Sequence, residues 1–197
     1  MTTTLPEQVR EALASRFCNH STMRQRIRES VAALADGCIA EALKKAIDAL
    51  RCAGDGNGDE QAVCLAHIAR IVAHETARLK EAELIKTLAQ KLSSGLLALT
   101  RIELAEAQIM LTRGAPDEFT IALDTIVDAI GHAQLAQIQH PDESEDAEYD
   151  AAFMLALTLN GRDNFPGRDE YATEVQTVLL RIEQAVERRK DALTPSV

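Results

Sequence analysis

The chain reads as an all-α protein, on three observations. Ala and Leu dominate its apolar residues, while Trp is absent and aromatics make up only 3% of the chain. Ala, Leu, Glu, Gln and Arg are strong helix formers, and the aromatics that strands favour are scarce here. Apolar positions recur at spacings of three and four, and no stretch alternates with period two. Six to eight antiparallel helices, some long, are therefore expected to form a bundle. A stack of helical hairpins is the alternative architecture. The 197 residues with 46% hydrophobic content suit one globular domain spanning 1–197.

Pro6 suits a first helical turn, so a short helix is expected from Leu5 to Phe17. Asn19 to Thr22 break it, with Ser21 or Thr22 as the next cap. Met23, Ile27, Val31, Leu34 and Cys38 form a stripe that continues through Ile39, Leu43, Ile47 and Leu50. Asp36-Gly37 between them marks a break or a kink. Residues 54–59 hold three glycines and read as a flexible loop. No Gly or Pro follows until Gly95, so one helix from Asp59 to Ser94 is expected, ~50 Å long at 1.5 Å per residue. Leu96–Arg113 is the next helix, closed by Gly114. Further helices are expected over Phe119–Gln139, over Glu145–Leu159 with Ser144 as cap, and over Asp169–Leu193.

The net charge of −10 is concentrated towards the end of the chain, where residues 115–197 carry 17 Asp+Glu against 6 Lys+Arg. A nucleic-acid phosphate backbone or an anionic membrane surface would be repelled there, so neither is an expected partner. No apolar run approaches the ~20 residues of a membrane span. Met1 to Pro6 lacks the basic and apolar regions of a secretory signal. With no CxxC pair among Cys18, Cys38, Cys52 and Cys64, the thiols are expected to be reduced and the location cytoplasmic.

Several groupings of side chains are candidate sites. Cys64, His67 and His74 share a helical face with Ile71, but seven residues separate the histidines, ~10 Å along an axis, too far to clamp one ion. Glu103 and Glu106, with Glu75, echo a di-iron bundle but lack the required Glu-x-x-His pairs. Asp124, Asp128 and His132 fall four apart, so that Asp128 would orient His132 as a carboxylate orients a general base; no nucleophile accompanies them. Asp55, Asn57 and Asp59 resemble the start of a calcium loop whose sixth and twelfth positions, Glu60 and Ala66, depart from the pattern.

The binding candidates are thus His67, His74, Glu75, Glu103, Glu106, Asp128 and His132, with no catalytic residue, metal or cofactor assigned. Arg16, His20, Arg24, Arg26 and Arg28 form a basic patch and residues 142–150 an acidic run. Two solvated surfaces are one reading of these, and mutual docking is the other.

The function expected on these grounds is a non-catalytic interaction, adaptor or regulatory protein. An enzyme or cofactor-binding protein with its site in the bundle core is the alternative. Convergence of the candidates in one pocket would favour the second, and scatter beside an apolar groove the first. A protein partner is expected, or self-association as a homodimer. Its seam would be the long helix after Asp59 or the narrow stripe Tyr171, Val175, Val178, Leu179, Ile182 and Val186.

Overall fold

The computed structural model describes residues 4–15, 19–54, 57–162 and 165–193, with side chains to residue 184. Among them lie nine α-helices and no strand: α1 (Leu5–Leu13), α2 (His20–Ala35), α3 (Ile39–Ala53), α4 (Gly58–Val72), α5 (Leu79–Leu92), α6 (Leu96–Arg113), α7 (Glu118–Ala136), α8 (Pro141–Asn160) and α9 (Arg168–Leu193). The all-α bundle is as expected, with one helix more than the upper count. From α2 onward consecutive helices pack on one another, α1 packs on α3, and α4, α6 and α8 also pack in turn, so the bundle is ordered as stacked hairpins.

The extra helix comes from the segment read as one ~50 Å rod. Glu75 is extended, and a 3₁₀ turn over Thr76–Arg78 separates α4 from α5. Neither Gly nor Pro marks this break. It follows from packing, because Ile71 and Val72 before it and Ala82, Ile85 and Ala89 after it bury in the same cluster. A straight helix cannot bring both sets to one core, whereas a folded-back pair can.

Local signals set the other ends. The Asn19 side chain, rather than Ser21 or Thr22, caps α2 by accepting from the Thr22 N–H at 2.9 Å. Asn57 does the same for α4, accepting from the Glu60 N–H at 3.3 Å. The loop before α4 is therefore shorter than 54–59, and Asp55 and Gly56 lie outside the described residues. Gly37, at φ 75°, completes the break between α2 and α3, and Gly114, at φ 71°, ends α6 where the sequence places it. Pro141 begins α8 three residues ahead of the expected Ser144 cap.

The buried apolar residues form two clusters. One gathers α1 to α5 with Ala98, Ile102, Ala105 and Ile109 of α6. The other gathers α7 to α9 with Leu104 and Ala107 of the same helix. Helix α6 is thus shared by both halves. Helix α4 is enclosed, with eleven of its fifteen residues buried, so it cannot serve as a dimer seam. Val175 and Val178 of the α9 stripe are also spent inside the monomer, with Tyr171 and Ile182 packed against the same cluster; Val186 lies outside the described side chains. No described helix is long and apolar enough to cross a membrane.

Candidate functional site

The sequence-predicted residues fall in three separate places. His132 Nδ1 lies 2.8 Å from Glu103 Oε2, joining α7 to α6. Burial pushes the Glu103 carboxyl up, the bond to His132 opposes that, and Asp128 and Glu106 add to it. Glu106 also pairs with Lys86 at 3.4 Å. Asp124 belongs elsewhere, accepting the Tyr171 hydroxyl at 2.6 Å.

His67 is fully buried in α4, with Nε2 2.9 Å from Ser30 Oγ. Ser30 donates its one hydroxyl proton to the Ala42 carbonyl at 2.7 Å, so His67 must be the donor to Ser30. The imidazole is therefore the neutral Nε2–H form, and its buried Nδ1 has no partner. Burial, with Arg101 and Arg70 nearby, holds its pKa down at about 3.

His74 sits beyond the end of α4, its pKa lowered to about 4 by burial and by Arg70. Glu75 is half-exposed, 3.8 Å from Arg78. Among the described residues no group of three or more His, Cys, Asp or Glu side chains is placed to hold a metal ion.

The charged segments singled out in the sequence do meet. His20 of α2 bridges Glu60 of α4 (Nδ1–Oε1 2.7 Å) and Glu143 of α8 (Nε2–Oε1 2.8 Å). Arg24 lies 3.3 Å from Glu143, and Arg28 Nε donates to Asp146 at 2.7 Å. This strap of ion pairs ties α2 to α8. Both His20 nitrogens face carboxylates, the arrangement of an imidazolium: burial opposes the charge, but the bonds to Glu143 and Glu60 win and raise its pKa. Arg26 turns away to Glu29 at 2.7 Å. Arg16 lies outside the described residues.

Beneath the strap, α2 stands off α8 and leaves a groove. It comprises adjoining cavities of about 300, 400 and 210 Å³. The first two share Ile27, Arg101 and Asp146; the second and third share Val31, Ala35 and Phe153. Tyr149 and Phe153 stack along one wall with centroids 6.4 Å apart.

The groove reaches an ion triad that sequence reasoning missed. Asp150 Oδ2 accepts from Arg70 Nη1 at 2.6 Å and also from Arg101 Nη1. All three are buried: Arg70 and Arg101 are 5% exposed and Asp150 1%. Burial alone would raise the Asp150 pKa, but the two guanidiniums hold it far below the usual carboxylate range. Two positive charges thus share one negative charge in the interior. Arg70 Nε and Asp150 Oδ1 are buried without a partner. One signal could have found Arg70: it stands in Leu65–Val72, a stretch otherwise apolar but for His67, where a helix has no wet face for it.

No protein-family model matches this chain, and neither a curated protein nor a solved structure matches it. The chemistry of the groove therefore carries the functional reading. It offers apolar walls, a buried cationic end and a polar strap across its mouth, which are the parts of a binding cleft.

Proposed function

We propose that this chain is a non-catalytic binding protein of the cytosol, of the adaptor or regulatory kind, acting through the groove between α2 and α8. One observation carries the reading. Of the titratable candidates only His74 lines the groove under α2, while His67, Glu75 and the Glu103–His132 group lie apart from it, and the cavities of that groove reach the ~300–1,000 Å³ range of ligand clefts. An occupant there would press on the α2–α3 hairpin and on the ion pairs that tether it, turning occupancy into a change of surface. The Glu103–His132 pair, on which a catalytic reading would rest, does not line the groove.

The test uses Nile red, a neutral dye that fluoresces in apolar clefts. About one equivalent should bind, and Ala35→Trp, at an exposed position lining two of the cavities, should abolish it without unfolding the protein. Absence of saturable binding, or binding unchanged by Ala35→Trp, would remove the groove from the reading.

Self-association belongs to the same proposal, with its seam moved to the outer face of α9. Leu179 and Leu180 are exposed there while Val175 and Val178 face inward.

A further inference from the structure

We infer that the groove takes a small amphipathic anion: an unbranched aliphatic carboxylate, its head on Arg101 and its chain against Val31, Ala35 and Phe153. This rests on the groove reading above and adds the chemical class of the occupant.

The argument starts from charge. An isolated buried charge is costly, and a buried guanidinium is normally matched by its own carboxylate. Asp150 matches one of the two guanidiniums here, leaving the triad with a surplus positive charge. The other buried carboxylate on α8, Glu148, is engaged elsewhere, with Arg181 at 3.0 Å and Gln134 at 3.1 Å. Asp146, at the rim, is taken by Arg28 at 2.7 Å.

Geometry then selects the arginine. Arg101 lines both larger cavities, and among the described residues its hydrogen bond is to Asp150 through Nη1 alone. A guanidinium has five N–H donors in a planar fork, so most of Arg101's donating capacity is unspent beside open space. A carboxylate is the anion that this fork bonds in pairs. A single negative charge neutralises the triad, whereas a dianion would overshoot it.

Shape selects the rest of the ligand. From Arg101 the largest of the three cavities passes between Val31 and Ala35 of α2 and the stacked rings of Tyr149 and Phe153; the cavity beyond it adds Leu157 but is also lined by Arg70, His74 and Asp150. An aliphatic chain gains by burial along such a path, because each methylene it buries leaves water.

Calorimetric titration with decanoate, decanol and decyltrimethylammonium separates charge from chain. Decanoate should bind with one-to-one stoichiometry, at least tenfold more tightly than either of the others. Arg101→Met should bring decanoate down to the affinity of decanol. A second measurement needs no variant. Carboxyl-¹³C decanoate bound to the unmodified protein should show a protonation midpoint below that of free decanoate if the head sits on a guanidinium, and above it if the head is merely buried. Equal binding of decanoate and decanol, an unaffected Arg101→Met, or a raised midpoint would overturn the anion inference while leaving the groove reading intact. Failure of all three amphiphiles, together with failure of Nile red, would overturn both.

Discussion

The His67 imidazole donates to Ser30 across 2.9 Å, linking α4 to α2 inside the bundle, and burial keeps it neutral there. With a folded pKa of about 3 against an ordinary 6.5, the unfolded chain binds the extra proton between those values. Stability from this group is complete above pH 6.5 and falls as pH drops towards 3, by up to about 1.4 kcal/mol per unit. Urea midpoints at pH 7 and pH 5 should show the decline, and a His67→Gln variant should lose most of it. Ser30→Ala strands the buried imidazole N–H of His67 and should cost about 1–3 kcal/mol at neutral pH.

His20 carries the opposite sign. Its folded pKa is raised, so its contribution is complete below 6.5 and is lost as pH rises through the folded value. Half-exposed ion pairs are weak, under about 1 kcal/mol, so the effect should be local rather than global. Hydrogen exchange of α2 amides, corrected for intrinsic rates, should quicken above neutral pH and with added salt. His20→Ala should remove the pH component.

The triad makes an asymmetric forecast. Asp150→Asn leaves two buried guanidiniums facing a neutral amide, a loss of about 3–5 kcal/mol or of folding itself. Arg101→Met leaves a balanced Arg70–Asp150 pair, and its melting temperature should equal or exceed that of the parent. A severe loss on Arg101→Met would mean that the second guanidinium is structurally required.

Two glycines should respond in opposite ways to alanine. A Cβ on Gly58 would fall 2.8 Å from the Leu92 carbonyl oxygen, where α4 starts against the end of α5, and the clash should cost about 1–3 kcal/mol. Gly131, inside α7, meets nothing within 4 Å, and Gly131→Ala should stabilise by about 0.5–1 kcal/mol. Thermal denaturation of the two variants side by side is sufficient.

On α9, Val178→Glu should unfold the protein, because Val178 is fully buried in the monomer. Leu180→Glu should leave the fold intact and shift light scattering from twice 21.5 kDa to 21.5 kDa. A parent already at 21.5 kDa would end the dimer proposal.

Much of the fold was legible because helix signals are local. Gly114 and the stripe of Leu96–Arg113 define α6 to the residue. The turn at 73–78 was not legible, since nothing in Ala73–Arg78 forbids a helix and only the shared core requires the chain to fold back. The basic patch and acidic run were visible as complementary charges, and His20, Arg24 and Arg28 do meet residues 142–146. Glu103 and His132 are each candidates by sequence, but their pairing with one another is not legible, because a contact across 29 residues leaves no periodic trace. Arg101 and Asp150 left less still, since a lone charged residue on an amphipathic helix ordinarily faces water.

The Arg70–Asp150 bond spans 80 residues of chain. During synthesis, at roughly 5–20 residues per second, α4 leaves the ribosome several seconds before α8 exists. Through that interval the guanidinium of Arg70 has no carboxylate to meet, and an interior closed around it would trap an unmatched charge. The early helices are thus expected to stay loosely associated, with Arg70 wet, until α8 arrives to seal them. Chains truncated before Asp150 should be open, dye-binding and sensitive to proteases, and maturation of the first half of this protein is timed by the second.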